Sequence, residues 1–250
     1  MSLRIIVNAD DLGISEQVNE AILSRLERRQ ISSATLIANA PAIEEAARAA
    51  KRFPHGTFGV HLNATEFEPL TCNPALRPLL DEDGNFAGNI RKVRLDRRVR
   101  AAVQQEWVAQ IERLQQLGVH VSHIDSHHHV HTIPALFGPL KAVQKHFGIR
   151  QVRTTMNLYA RDSAVSSVLR ARKQLWAQAL RNLYRTRTTR WFTAFATFHA
   201  RLHEFTGGAA TFEVMTHPGH DAFIEETALL DTEWKHAPGS HIDLIRYTDL

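Results

Sequence analysis

The chain has 250 residues, with 30 Lys or Arg against 26 Asp or Glu and one cysteine, Cys72. That length holds one large α/β domain or two small ones and can bury a real core, and a single thiol excludes an internal disulfide and fits a reducing compartment. No apolar run is long enough to span a membrane, and the acidic pair Asp10-Asp11 comes too early for a signal-peptide core, so a soluble cytoplasmic protein is expected.

Leu3 to Val7 is a short β-branched apolar run leading into Asn8-Ala9-Asp10-Asp11 and Gly13, which predicts a buried strand ending in a polar turn. Ser15 is placed to cap a helix carrying Val18, Ala21, Ile22 and Leu26 on one side. Ala34 to Ala38 predicts a second strand, with Pro41 opening a helix that runs to about Lys51. Thr57 to Leu62 is a third strand, and His61 sits at its end. Glu66 to Asp96, with several prolines and Asp81-Glu82-Asp83-Gly84-Asn85, is expected to be an excursion over one face; long loops in compact domains are often functional. Arg97 to Leu117 has helical spacing with Gly118 as its stop, and Val119 to Asp125 is a fourth strand. Pro134 starts a helix that Gly148 ends, before a short strand from Ile149 to Arg153.

A basic arm follows. From Arg150 to His203 there are eleven Lys or Arg and one acid, Asp162, while the remainder of the chain is net negative. The spacing predicts two helices here, one with Val165, Val168, Leu169, Leu175 and Trp176, the other with Trp191, Phe192, Phe195 and Phe198. Such aromatics serve a core or an interface, and a homodimer contact would suit them. The basic charge reads as a solvated helix face or an oligomer contact; no nucleic-acid motif accompanies it. Gly207-Gly208 breaks the pattern, Thr211 to Met215 is a strand running into Thr216-His217-Pro218-Gly219, and Ile242 to Tyr247 is a last strand. Seven strands alternating with helices predict a parallel sheet in one domain, most simply a closed or nearly closed (β/α) barrel.

Active sites of such barrels lie at the C-terminal ends of the strands. Asp10, Asp11, His61, Asp125, His127, Arg153 and His217 all fall at or just past strand ends. The densest stretch is His123-Ile-Asp-Ser-His-His-His-Val-His131. Were it extended, Asp125, His127, His129 and His131 would share one face. Imidazole and carboxylate suit zinc and other first-row ions, and catalytic sites commonly use three protein ligands. One of the adjacent aspartates is expected to bind a metal with His61 and a histidine of the run; the other is left free as a general base on a metal-activated water. His217 is a candidate general acid or oxyanion stabiliser. The plainer alternatives are a helix-start turn for Asp10-Asp11, a solvated histidine loop, and a structural histidine before Pro218. The coincidence at one rim favours a metal hydrolase site.

Asn8-Ala-Asp-Asp-Leu-Gly13, Gly59-Val-His-Leu62, the histidine run and Thr216-His-Pro-Gly219 resemble, in order, the signature blocks of the YdjC-like carbohydrate deacetylases, a group similar in architecture to the polysaccharide deacetylases. The resemblance covers Arg4 to about Gly219. It implies a distorted, seven-stranded, TIM-barrel-like (β/α) barrel over 1–250, with the basic helical segment at about 157–206 as an insertion. It implies Asp11, His61 and His127 as ligands of one divalent ion, zinc or magnesium, with Asp10 as catalytic base and His217 as acid. Arg153 would orient the base or substrate, or else lie at the surface, and Asp125 would orient a ligand histidine. The implied reaction is hydrolysis of an N-acetyl group from an amino sugar: a chito-oligosaccharide, or a phosphorylated or lipid-linked sugar. Two rival readings are a metal-dependent hydrolase of another amide, cyclic imide or phosphoester, and a non-catalytic protein binding an anionic partner through the basic arm.

Overall fold

The first strand sets the frame. Leu3–Leu12 (β1) is buried along its length except for partial exposure at Arg4, as suits a parallel strand covered on both faces. It is followed by α1 (Glu16–Glu27), β2 (Ser33–Leu36), α2 (Ile43–Ala50), β3 (Thr57–Leu62), α3 (Arg97–Gln116), β4 (Val121–Ser126), α4 (Phe137–Phe147) and β5 (Gln151–Val152). Then come α5 (Ser167–Asn182), β6 (Trp191–Ala194), α6 (Phe195–Arg201), β7 (Thr211–Thr216), α7 (Ile224–Leu230) and β8 (Ile242–Leu244). The structure is a computed structural model and describes residues 2–205, 210–236 and 241–250. The expected Gly207-Gly208 break lies outside these.

Local chemistry explains most boundaries. Ser15 Oγ accepts the Val18 N–H at the start of α1, and Asp96 Oδ1 accepts from Arg98 and Val99 at the start of α3. Gly148 ends α4 at φ +70°, a left-handed conformation that glycine adopts without strain.

The wall of the barrel runs β5-β4-β3-β2-β1-β7-β6, all parallel. β8 pairs only with Leu3–Ile5 at the base of β1. Because β7 occupies one edge of β1 there, β8 lies on the other, below β2, which joins β1 only from Asn8. The seam between β5 and β6 is narrowed by a Gln151–Arg187 bridge and by Asn157, whose N–H reaches Phe192 O and whose Oδ1 accepts from Phe192 N. The result is the expected distorted seven-stranded barrel, with one change in membership. Trp191–Ala194, expected to begin a helix, is a wall strand; the helix starts at Phe195. Pairing with β7 over four residues decides this, since Trp, Phe and Thr pack well on a pleated sheet once a partner strand is present. The segment 157–206 therefore supplies part of the wall as well as α5. Its aromatics Trp176, Phe192, Phe195 and Phe198 are all buried within the chain, whereas Val168 and Leu175 on α5 are exposed. Trp191, the remaining aromatic of that expected helix, is only partly buried.

The 66–96 excursion is ordered around a 3-10 turn at Pro74–Leu79. It is pinned where Glu106 of α3 accepts the N–H groups of Leu70 and Thr71. Among the described residues no helix is long and apolar enough to cross a membrane.

Gly59 marks a close approach inside the barrel. A Cβ built there would lie 2.5 Å from ring atoms of His123. That ring cannot retreat, because Tyr247 stacks on it at 3.6 Å and Ser122 Oγ lies 2.8 Å from its Nδ1. Gly59→Ala is expected to cost about 1–3 kcal/mol by overpacking and to lower the melting temperature by roughly 2–4 °C per kcal/mol. An unchanged melting temperature in a calorimetric scan would show that the His123–Tyr247 stack yields freely.

Candidate metal-dependent active site

The polar strand ends do converge. In the β1–β2 pairing Ala9 faces Ala34 and Leu12 faces Leu36, so β1 carries one extra residue, and Asp11 takes φ +70°. This bulge lets neighbouring carboxylates, which would diverge on a regular strand, both serve one site. Asp10 and Asp11 nevertheless have different surroundings, as the sequence requires of residues with different tasks.

Asp10 is clamped. Arg153, just past β5, donates from Nη1 to Asp10 Oδ2 at 2.6 Å and from Nη2 to Oδ1 at 2.7 Å. Asn8 Nδ2 donates to Oδ1 at 2.8 Å. The same guanidinium reaches Asp125 Oδ2 at 2.9 Å and Glu213 Oε1 at 2.5 Å. Arg153 is 0% exposed, which removes the surface role left open for it. Burial alone would raise the pKa of Asp10; Arg153, with His61 and His217, outweighs it and holds the carboxyl well below the usual carboxylate range. Glu213 goes the other way: burial prevails over Arg153 and pushes it up to about 7.

Asp11 faces imidazoles instead. Its Oδ1 lies 2.9 Å from His127 Nδ1 and 3.2 Å from His61 Nε2, and its Oδ2 lies 3.2 Å from His220 Nε2. Oδ1 is buried and makes no hydrogen bond despite those distances, and His127 Nε2 and His220 Nε2 are also buried without a hydrogen-bond partner. Groups that converge without the alignment for N–H···O bonds are suited to sharing a cation, and donor atoms of Asp11, His61 and His127 all lie within 4.8 Å of one another. The residues present therefore fit a divalent ion. Asp125 prepares His61 for it: Asp125 Oδ1 is 2.7 Å from His61 Nδ1, which fixes the proton there and turns Nε2 toward Asp11. Thr35 in turn donates to Asp125 Oδ2 at 3.0 Å. Burial lowers the pKa of His61, but Asp125, Asp10 and Asp11 outweigh it and raise it to about 10, so the cluster calls for positive charge at this point. A second group, Asp10, His61 and Asp125, is equally close, but Arg153 already neutralises its two carboxylates.

The histidine run does not share one face. β4 ends at Ser126, and His128 and His129 both take left-handed backbone angles, φ 50° and 54°. The kink gives the rings different partners, although those of His127 and His128 stay 4.0 Å apart, centroid to centroid, and both face Glu66. His127 points at Asp11, whereas His128 lies 3.0 Å from Thr65 Oγ1, and His129 sets its ring against Phe192. His131 bonds Ser126 Oγ and approaches Arg153 O at 3.1 Å. Burial and Arg153 lower His129 to about 3, and burial keeps His131 and His123 well below the usual imidazole value, so these three are neutral.

His217 follows β7 and stacks on Phe223 at 4.2 Å. Its Nε2 is 4.0 Å from Asp10 Oδ2, and its Nδ1 is 3.8 Å from Glu226 Oε1. Burial lowers its pKa; Glu226, Asp10 and Asp11 outweigh burial and raise it, favouring the protonated ring. The loop is seated by Gly219, where a Cβ would lie 2.9 Å from Val18 Cα.

Several contributors escaped the sequence reading. His220 stands three residues past His217 in the same loop and was within reach of that motif. Glu213, a lone acid inside Phe212-Glu213-Val214-Met215, signals a buried cation somewhere. Glu66, 3.4 Å from His127 Nε2, and Thr35 carry no local sequence signal and are placed only by the fold.

Comparison with known proteins identifies the family. The model of the YdjC-like protein family matches residues 4–239. A carbohydrate deacetylase of Geobacillus stearothermophilus is 41% identical over 151 residues, 60% of each chain. One of Vibrio campbellii is 35% identical over 147 residues, 59% of this chain and 57% of that one. These two alignments thus span under two thirds of the relatives' length. A carbohydrate deacetylase of Listeria monocytogenes serotype 4a is 32% identical over 227 residues, 90% of this chain and 84% of that one. In fold, the chain is similar to a crystal structure from Enterococcus faecalis V583, provisionally described as a cellobiose-phosphate cleavage protein, with a TM-score of 0.76 and 24% identity over 100% of this chain and 99% of that one. With its family match running almost end to end and its Listeria relative aligned over most of both chains, this chain belongs to the YdjC-like protein family.

Proposed function

We propose that the protein is a metal-dependent carbohydrate deacetylase that hydrolyses the N-acetyl group of an amino sugar. The observation that carries this reading is the convergence of Asp11, His61 and His127 beside an Asp10 clamped by Arg153 and a His217 whose carboxylate neighbours favour its charged form. The naming of the Geobacillus, Vibrio and Listeria relatives as carbohydrate deacetylases supports the substrate class.

Asp11, His61 and His127 would hold the ion; two imidazoles and a carboxylate suit zinc or another first-row ion better than magnesium. Such an ion polarises a carbonyl and lowers the pKa of water toward ~7. Asp10, kept ionised and fixed by Arg153, accepts the proton of the attacking water. Its Oδ2 lies 3.9 Å from His61 Nε2 and 4.0 Å from His217 Nε2, between the proposed ligands and the proposed acid. As the C–N bond breaks, His217 delivers its proton to the departing amine nitrogen, and Glu226 stabilises the charged ring beforehand. The products are acetate and the free amino sugar.

Two outcomes are expected. Asp10→Asn lowers acetate release from N-acetylated chito-oligosaccharides by about 10²–10⁴-fold while metal content, measured by elemental analysis, stays near one ion per chain. Activity within a fewfold of the parent protein would remove Asp10 as the base. His61→Ala and His127→Ala, by contrast, lose the ion, and activity abolished by a chelator returns on adding zinc only to the parent protein. Full metal occupancy in both variants would refute the ligand assignment.

A further inference from the structure

A second concave surface lies outside the barrel, between α5 and the seam of β5 and β6. It encloses about 700 Å³ and continues past Arg181, Thr188 and Thr211 into a second hollow of about 550 Å³. None of the residues around the metal triad lines either hollow. The alternation of β6 separates the two regions: Phe192 lies beneath the Arg153 guanidinium at 4.8 Å, while its neighbour Trp191 lines the outer groove.

Four cations converge on the larger hollow, Arg170, Lys173 and Arg181 from α5 and Arg190 from the residue before β6, and among the described residues no carboxylate lines it. Their partners among the described residues are neutral. Arg170 donates to Val165 O at 3.2 Å, Lys173 to Tyr159 Oη at 3.0 Å, and Arg181 to Thr189 O at 3.3 Å. The Arg190 guanidinium rests 5.7 Å from the centre of the Trp191 ring. Elsewhere in the same arm the contrast is plain, since Arg161 and Arg201 both pair with Glu204. Burial, and after it the charge of Arg190, lowers the pKa of Arg181. Thr188 adds a buried hydroxyl with no hydrogen-bond partner.

A single surface cation is merely solvated, but four around one hollow with no acid to balance them focus positive potential into it. Guanidinium forks match phosphoryl oxygens in pairs; a phosphate monoester carries about −1.5 to −2 charge, so two such groups roughly balance the four cations, whereas phosphodiesters, singly charged, would have to be clustered to do so. We infer that this groove is a second binding site, separate from the hydrolytic centre, for a ligand bearing phosphoryl groups in a pyrophosphate or closely spaced phosphodiester arrangement. The chemistry is shared by a free phosphorylated compound and by the headgroups of an anionic phospholipid surface.

The test is titration calorimetry of the full chain with inorganic pyrophosphate, paired with co-sedimentation on phosphatidylcholine vesicles with and without phosphatidylglycerol. Arg181→Gln/Arg190→Gln is expected to weaken pyrophosphate binding at least ~tenfold. Arg172→Gln, an exposed cation on the same helix outside the groove, leaves it unchanged. Arg190→Gln alone, which removes a guanidinium making no hydrogen bond among the described residues, guards against loss of folding and is expected to weaken binding severalfold. Vesicle binding that requires phosphatidylglycerol and is competed by pyrophosphate assigns the site to a headgroup; pyrophosphate binding without vesicle binding assigns it to a free compound. Absence of binding to both probes, or equal weakening by Arg172→Gln, overturns the inference.

Discussion

Arg153 is the constraint on which the rest of the site depends. A fully buried guanidinium is costly unless it is paired and hydrogen-bonded, and here three carboxylates surround it: Asp10 from β1, Asp125 from β4 and Glu213 from β7. With its own position after β5, the residue ties four strands together across the interior. Removing the cation would leave carboxylates stranded in a medium that disfavours their charge; removing any one carboxylate would loosen the others. The barrel and the site are therefore held by the same set of bonds.

That arrangement also divides the labour between two adjacent aspartates. Asp10 has a permanent cation against both oxygens, so it stays ionised and oriented without help. Asp11 has imidazoles around it and no guanidinium, so its counter-charge is one that either ring protons or a bound cation can supply. A divalent ion would supply one, and the unpartnered buried atoms sit where such an ion would draw on them. Asp125 links the halves: one oxygen takes the Arg153 charge, the other fixes the tautomer of His61. The bulge at Asp10-Asp11 is what allows side chains next to each other in sequence to take such unlike environments in one cavity.

The basic arm repeats the theme with the opposite balance. Inside the barrel one arginine meets three carboxylates; on the outer face of the same wall, four cations meet only carbonyls, a phenol hydroxyl and ring faces. An excess of charge tolerated at a surface is normally screened by water and salt. Gathered round a hollow, it becomes a preference for anions.

The sequence by itself determined the strand-and-helix alternation, the capping residues and the chemistry available at the strand ends. Alternation of short β-branched runs with helical spacing can only be satisfied by a parallel sheet flanked by helices. Asp10, Asp11, His61, Asp125, His127, Arg153 and His217 were legible because polar residues at the ends of apolar strands are locally anomalous. The tertiary structure decided what local pattern cannot encode. Trp191–Ala194 is a strand because β7 offers it an edge, which no local propensity contains. The histidine run departs from a strand because two left-handed residues kink it, a conformation whose cost is offset by contacts with Asp11, Thr65, Phe192 and Arg91 brought from elsewhere in the chain. Arg153 is a buried clamp and not a surface charge because Glu213, 60 residues away in sequence, faces it across the barrel, and such pairings exist only once the wall has closed.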